Sequence, residues 1–310
     1  MNNKVSVIMN CLDASEFILE ALDSAINQTH KNLEVIVWDN GSKEDIQYLI
    51  EQNYKDPRIK YYRNKKTEKL GLARNKAIEK STGDYIAFLD CDDLWNLNKV
   101  EKQLDIFNND PEVGLVFSDA YFFDDKGVGK QIYKNRQPPT GYVFGYLLSN
   151  YFLVMSTVMI KKEVMGKMNQ YFDPNYEMIE EYEFFLRIAN LWKLDYCNEI
   201  LGMWRMHANN TTFTKGELIP SEKEHMLKKF DLLIPNFNHQ YRNEIKIVKQ
   251  KISLTKSLNF YLRDERSLAR SEIWDLVFTN KKALVYFIGT FLPKKIFIDL
   301  YRFFTGSMPV

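Results

Sequence analysis

Three short stretches of this sequence carry side chains whose types and spacing can do chemistry. The first is Asp90-Cys91-Asp92-Asp93, which follows directly on the apolar run Tyr85–Leu89. Side chains alternate faces along extended backbone, so Asp90 and Asp92 can point to one side, about 7 Å apart. Two carboxylates so placed can bind a hard divalent cation, Mn2+ or Mg2+, or one can hold the metal while the other takes a ribose hydroxyl. Such a cation neutralises a diphosphate and makes it a better leaving group. A solvated acidic turn after a strand is spelled the same way, and the stretch alone leaves both readings open. The second is Glu180-Glu181, within Ile-Glu-Glu-Tyr-Glu-Phe-Phe-Leu-Arg at 179–187. An ionised carboxylate can take the proton of an attacking hydroxyl, whereas an acidic first helical turn, stabilised by the macrodipole, is the plain alternative. Glu183 and Arg187 stand at i,i+4 and are expected to pair on that helix. The third is Arg205-Met206-His207, where extended chain puts the arginine and the histidine on one face.

The elements that must position these groups alternate along the first half of the chain. Val5–Met9, Leu33–Trp38, Ile59–Arg63 and Tyr85–Leu89 read as strands. Between them, helices are expected after a cap at Ser15 (Phe17, Ile18, Leu22, Ala25 and Ile26 recurring at helical spacing), over 43–53 and over Leu72–Glu79 after Gly71. That order predicts an α/β fold, a Rossmann-like and mostly parallel sheet covered on both faces. Ligands in such sheets bind beyond the carboxyl ends of the strands, which is where Asp39 and Asp90 fall. Further on, a helix is expected over Asn96–Asn108, strands over Gly114–Ser118 and Val154–Ile160, a surface loop over 124–141, a helix over Ile179–Leu191 and a last strand within Leu194–Arg205. After about residue 215 strand signals stop, and 222–235, 241–263 and 266–279 look helical.

The chain has 310 residues, 45% of them apolar and 27% charged, with 42 basic and 41 acidic groups. Length and composition predict a globular protein of about two domains. A balance this even gives no electrostatic case for nucleic-acid binding. Cys11, Cys91 and Cys197 are widely spaced and odd in number, which argues against a disulfide framework or a structural zinc site and for a reducing compartment. The apolar run at Val5–Met9 is too short for a signal peptide, and no stretch is long enough to cross a bilayer, so a cytoplasmic location is expected. Charge is uneven along the chain: residues 1–214 carry 25 basic and 31 acidic groups, and residues 215–310 carry 17 and 10.

The ordered set Val5–Met9, Asp39-Asn-Gly-Ser42, Gly71-Leu-Ala-Arg-Asn75 and Gly83 to Asp93 resembles the family 2 glycosyltransferases of the GT-A fold, over about residues 4–214. The resemblance implies a GT-A catalytic domain at 1–215, with a nucleotide-sugar half at about 1–95 and an acceptor half at about 96–215, followed by a helical region at 216–310. It implies that Asp39 bonds the nucleotide base, that Cys11 and Asp13 line the nucleotide pocket, that Asp90 sits near the ribose and that Asp92 is the metal ligand. Arg74 is expected to give charge-assisted hydrogen bonds to the diphosphate. On the same match Glu181 stands where similar enzymes carry an aspartate base, one methylene longer, with Glu180 beside it on the acceptor side. Arg205 is expected to reach the diphosphate, and His207 to complete the metal sphere or contact phosphate. The polar loop Asn209–Gly216 is expected to close over bound donor. The chain departs from the family pattern at Asn10, Cys11 and Leu12-Asp13, where a Pro and a Tyr-Asn pair are common, and at Asp39-Asn40, where Asp-Asp is common.

The function this implies is an inverting, metal-dependent transfer of a sugar from a nucleotide-diphosphate donor, UDP-linked, to a hydroxyl of a glycan. That acceptor is expected to be a growing glycan, free or lipid-linked, in bacterial surface-polysaccharide or glycoprotein assembly. Two rivals stay open: a catalytically degenerate sugar-nucleotide-binding scaffold, and a phosphatase with the same Asp-x-Asp. The phosphatase motif needs Thr or Val soon after its second Asp, where this chain has Asp93, Leu94 and Trp95. The aromatic and basic tail at 277–304 has two readings as well. It can be a helix lying in a membrane interface, peripheral at the inner face of the cell membrane, or a helix packed on the catalytic domain or on a second subunit.

Overall fold

The computed structural model describes residues 3–134, 137–166, 168, 170–207 and 215–297. The chain divides into two compact units, Met1–His207 and Ala208–Val310. Of the boundary region read from the sequence at Thr214–Pro220, Thr214 lies outside the described residues.

The first unit opens with β1 (Val5–Cys11), α1 (Ile18–Ile26), β2 (Leu33–Asp39), α2 (Ile46–Asn53), β3 (Ile59–Arg63), α3 (Leu70–Glu79) and β4 (Tyr85–Phe88). Strands β3, β2, β1 and β4 lie side by side, and all three pairings are parallel. Every residue of β1 and β2 is buried, as expected for central strands covered on both faces. Alternation divides their side chains: Val7, Met9, Cys11, Val35 and Val37 join Ile18, Leu22 and Ala25 of α1 in one core. On β4, Phe88 instead meets Phe172 and Phe185.

The sheet continues through β5 (Leu94–Trp95), α4 (Lys99–Asn109), β6 (Val113–Asp124), β7 (Gly127–Gln131), α5 (Phe144–Ser149), a 3-10 turn (Met155–Thr157), β8 (Met159–Lys161), α6 (Lys162–Met165), α7 (Glu180–Ala189) and β9 (Lys193–Arg205). The whole order is β3-β2-β1-β4-β8-β6-β9-β5, with β7 paired to β6. β8 is antiparallel to both β4 and β6, and β9 is parallel to β6. This is the α/β architecture expected.

Local departures have local causes. Ser15 does not cap α1; its backbone N–H donates to Glu44 Oε2 at 2.9 Å, and the helix starts on the carbonyl of Ala14. α2 starts at Ile46, because Asp45 accepts from the Tyr48 N–H. The stretch expected as a loop at 124–141 contains β7. Asp124 Oδ1 accepts from Lys126 N, and Gly127 at φ +122° turns the chain back along β6. β7 is a solvated edge strand, so nothing apolar marks it in the sequence. The strand expected over Val154–Ile160 starts only at Met159, after the 3-10 turn that contains Ser156.

The second unit is helical: α8 (Ile219–Leu233), α9 (Phe237–Gln240), α10 (Arg242–Leu262), α11 (Arg266–Ile273) and α12 (Lys281–Gly289). Its core forms along α10, where Leu254 packs with Ile273 and Ala283, and Leu258 and Tyr261 with Ala269 and Phe297. Among the described residues, no helix is long and apolar enough to cross a membrane.

Candidate functional site

The loop after β4 is folded tightly by its own groups. Asp93 N donates to Asp90 O at 3.0 Å. The Asp90 N–H donates to Ser156 Oγ at 3.1 Å, and the Ser156 hydroxyl donates to Asp93 Oδ2 at 2.5 Å. Asp93 Oδ1 accepts from the Arg205 backbone N–H at 2.9 Å. Asp93 is therefore a buried anchor, and burial together with the charges of Asp92 and Asp90 pushes its carboxyl well above the usual range. With Asp93 turned inward, Asp90 and Asp92 keep side chains 40% and 24% exposed. Burial also raises the Asp90 carboxyl; Arg74 opposes that shift and Asp92 adds to it.

Asp92 faces His207, with Oδ2 and Nε2 2.9 Å apart. That separation is a hydrogen bond, with the imidazole N–H donating to the carboxylate, and both groups are of the kinds that can ligate Mn2+. No cluster of three His, Cys, Asp or Glu suited to a metal exists among the described residues. Arg205 is held beside them. Its guanidinium lies between the rings of Phe17 and Phe123, 4.5 and 4.4 Å from their centroids. Nε donates to Asp92 O at 2.7 Å, and Nη2 to Glu20 Oε2 at 2.5 Å. Of the lid expected at Asn209–Gly216, residues 209–214 lie outside the described residues.

The second constellation meets the first through one guanidinium. Arg74, on α3 and buried, donates from Nη1 to Glu180 Oε1 at 2.8 Å and from Nη2 to Asp90 Oδ1 at 3.2 Å. α3 and α7 pack closely at Gly71, where a Cβ would stand a tight 3.2 Å from Phe172 Cβ and in ordinary contact, at 3.5 Å, with the Glu180 side chain. Side chains adjacent on a helix point about 100° apart, and Glu181 accordingly turns elsewhere. Its Oε1 accepts from the Tyr151 hydroxyl at 2.8 Å. Burial raises the Glu181 carboxyl; Arg74 and the Tyr151 bond pull it down, and Asp90 pushes it up. Glu183 is occupied as expected, by Arg187 at 2.7 Å.

At the ends of β1 and β2 the polar groups are tied to one another. Asp39 Oδ1 accepts from Gly41 N at 3.0 Å and Ser42 N at 2.7 Å, and Oδ2 accepts from the Tyr61 hydroxyl at 2.6 Å. Asp13, at φ +48°, accepts on Oδ1 from Lys43 N at 2.6 Å and Glu44 N at 3.3 Å. Cys11 is buried, its carbonyl accepts from Asn40 N at 2.8 Å, and burial reinforced by Asp39 holds its thiol far above the ordinary range. Cys11, Asp13 and Asp39 thus share one loop cluster, while Arg74, Asp90, Asp92, Glu180, Glu181, Arg205 and His207 surround the β4 end.

Two members of the site escaped the sequence reading. Tyr151, the partner of Glu181, carries no motif, and only the aromatic pair Tyr151-Phe152 marks the position. Ser156, which ties Asp90 to Asp93, lies in a stretch whose apolar character read as strand.

The description "Glycosyl transferase family 2" matches residues 6–168, more than half of the chain. The chain belongs to glycosyl transferase family 2. That membership bears out the family and the enzyme class read from the sequence. An uncharacterized glycosyltransferase of Rickettsia bellii is 36% identical over 211 residues, covering 68% of this chain and 30% of its own length. The Escherichia coli UDP-Glc:alpha-D-GlcNAc-diphosphoundecaprenol beta-1,3-glucosyltransferase WfaP is 28% identical over 213 residues, covering 68% of this chain and 80% of WfaP. The chain thus spans under a third of the length of the Rickettsia relative. Among solved structures, S. aureus TarS 1-349 in complex with UDP-GlcNAc aligns with a TM-score of 0.63 at 14% identity, covering 93% of this chain and 79% of that one. The mannosyltransferase PcManGT from Pyrobaculum calidifontis, in complex with GDP-Man and Mn2+, aligns with a TM-score of 0.60 at 14% identity, covering 90% and 76%. At such identities the likeness establishes the fold, and this family 2 chain has the GT-A fold.

Proposed function

We propose that this family 2 member transfers a sugar, with inversion, from a UDP-linked donor to a hydroxyl of a glycan acceptor. The observation that carries the reading is the bridge from Arg74 to both Asp90 and Glu180. It holds the carboxylates after β4 next to the start of α7, and so sets a cation-binding pair beside a candidate base. Glu181 takes the acceptor's hydroxyl proton as the acceptor oxygen bonds to the anomeric carbon. The bond from that carbon to the diphosphate breaks, and the nucleoside diphosphate leaves with the electron pair. A carboxyl held above its ordinary range by burial is a stronger base than an exposed glutamate, and closer in pKa to neutral working conditions. Glu180 is committed to Arg74 and orients the site without taking the proton.

Asp92 and His207 would hold the Mn2+ or Mg2+, which supplies charge neutralisation for the departing diphosphate. Asp90 is placed to take a ribose hydroxyl. Cys11, Asp13 and Asp39 frame the nucleotide pocket. Arg205, held beside that pair by the Asp92 carbonyl and Glu20, is the cation we assign to the diphosphate. The UDP-GlcNAc bound to TarS and the UDP-Glc named for WfaP favour UDP, and the diphosphoundecaprenol acceptor named for WfaP favours a lipid-linked glycan. The test is a donor panel with UDP-, dTDP- and GDP-sugars, read by release of nucleoside diphosphate with and without Mn2+, followed by NMR of the product's anomeric proton. We expect Mn2+- or Mg2+-dependent release from a UDP-sugar and an inverted linkage. Donor binding without turnover on any acceptor would replace the enzyme by a binding scaffold.

A further inference from the structure

The second unit carries an apolar surface that its own helices leave uncovered. α12 buries one side: Ala283 is fully enclosed with Leu254 of α10 and Ile273 of α11. Its other side is apolar too. Leu284, Val285 and Ile288, followed by Phe291 just past the helix end, recur at helical spacing and are 43%, 54%, 55% and 61% exposed. A helix apolar all round is a helix with two partners. The patch continues onto the preceding segment. The rings of Phe278, Trp274, Phe287 and Phe291 touch in series at 5.9, 5.5 and 5.6 Å. Arg270 lies over Phe291 at 4.7 Å, and a groove of about 510 Å³ runs between Arg270, Trp274, Phe287 and Phe291. Phe278 is 80% exposed and Trp274 53%.

The charge around the patch identifies its partner. Between Leu276 and Phe297 the sequence has four lysines and no acidic residue; Lys294 pairs with Asp264 at 3.2 Å and Asp275 lines the groove, which leaves Lys281, Lys282 and Lys295, beside Arg270, as the basic groups of the patch. A second copy of this face would set like charges opposite one another, since a two-fold contact pairs a patch with itself. A bilayer carrying anionic headgroups instead matches both components, because apolar and aromatic side chains sink to the acyl boundary while the lysines meet lipid phosphates. The nine residues of α12 are too few to span and enough to lie flat.

We propose that the face formed by Trp274, Phe278 and the outer side of α12 docks the protein on an anionic phospholipid surface. The full-length chain is tested by flotation with vesicles of phosphatidylcholine containing roughly a third phosphatidylglycerol, against phosphatidylcholine alone. No sugar nucleotide enters the assay, so its result is independent of the transferase reading. The expected result is binding to the anionic vesicles at least tenfold tighter than to the neutral ones, weakened by salt. The double charge reversal Lys281→Glu with Lys282→Glu, and separately Phe278→Ser with Ile288→Ser, should each lower binding at least tenfold with melting temperatures close to the parent's, since all four side chains are exposed. A readout on the parent stands beside the variants. Of the five tryptophans, Trp38 and Trp95 are buried, Trp192 and Trp204 half-buried and only Trp274 exposed, so anionic vesicles should shift its emission to the blue. A parent that does not float with anionic vesicles, an unshifted emission, or variants that bind like the parent would overturn the proposal. So would a dimer in solution that Phe278→Ser with Ile288→Ser dissolves, because the face would then belong to a second copy.

Discussion

The ends of β2 and β4 lie on the same edge of one parallel sheet, each carries aspartate, and the fold treats them in opposite ways. Asp39, at the end of β2, is wholly buried and accepts hydrogen bonds from two backbone N–H groups of its own turn and from Tyr61, with Arg63 Nε 3.5 Å away. It is a carboxylate satisfied from within. After β4, three carboxylates fall within one turn, and only Asp93 is satisfied by its surroundings; Asp90 shares a guanidinium with Glu180, and Asp92 has an imidazole. Carboxylates crowded this closely repel one another, and a neighbouring positive charge or a bound proton relieves that repulsion. The Asp39 end is thus braced by backbone and tyrosine donors, whereas Asp90 and Asp92 are met by the side chains of Arg74 and His207.

Removing one carboxylate from each end tests that contrast most severely. Asp92→Asn keeps the shape of the loop but removes the charged ligand, and Lewis-acid assistance is worth several kcal/mol at the transition state. Turnover with a UDP-sugar should fall by about 10³ or more, with the melting temperature little changed, and chelation by EDTA should reduce the parent to the same level. Undiminished turnover in either case would break the contrast at the β4 end. Asp39→Ala should do the reverse. It strands two buried N–H groups and a tyrosine hydroxyl, costs about 2–4 kcal/mol of stability, and weakens donor affinity by calorimetry more than it slows the bound complex. Unchanged stability and unchanged donor affinity would show that Asp39 braces nothing.

The same contrast recurs between neighbours on α7. Glu180 is matched by buried Arg74, whereas Glu181 has only a neutral hydroxyl as its direct partner. Glu181→Gln keeps size and hydrogen bonding but cannot take a proton, so kcat should fall about 10²–10⁴-fold with donor affinity nearly kept. Glu180→Gln removes one of the two carboxylates bonded to buried Arg74, and should cost stability, up to about 3 kcal/mol, more than turnover. If Glu180→Gln loses the more turnover per folded molecule, the base is Glu180. Glu181→Asp should retain partial activity, since it restores the residue type of similar enzymes at a shorter reach.

What the sequence could show of this arrangement follows from where the information lies. β1, β2 and β4 are buried in the parallel part of the sheet, and such strands are nearly continuous apolar runs, so their positions were legible to within a few residues. β7 was not, because a solvated edge strand carries no pattern beyond its turn. Asp39, Asp90, Asp92 and Glu181 could be singled out because strand ends and helix starts are readable. Their partners could not. The bond from Arg74 to Glu180 spans 106 positions, and that from Tyr151 to Glu181 spans 30. Arg74 read as a group free for a diphosphate, and its two carboxylate partners emerge only when α3 and α7 are brought together over Gly71. Which of two adjacent glutamates is satisfied is a property of packing.

The smallest effect sharpens the contrast furthest, because it changes one hydroxyl. Tyr151 is half-buried, its phenol is held well above its ordinary range by desolvation and by Glu181, and it therefore stays protonated and donates. Glu181 must be ionised to accept the acceptor's proton. Its carboxyl lies above the ordinary glutamate range, so activity should be lost as the pH falls through that raised value, at a higher pH than for an exposed glutamate. The Tyr151 bond stabilises the ionised form and holds the value down, so Tyr151→Phe should move the acid limb of the kcat profile to higher pH. On the alkaline side of the limb Glu181 is charged with or without the hydroxyl, and there the variant should turn over within a few-fold of the parent. The measurement is kcat against pH for both proteins at saturating donor and acceptor. A limb that stays in place while the plateau falls would make Tyr151 a packing residue only. A limb that moves down would mean that the titrating group is not a carboxylate stabilised by that hydroxyl, and the assignment of Glu181 as base would fall with it.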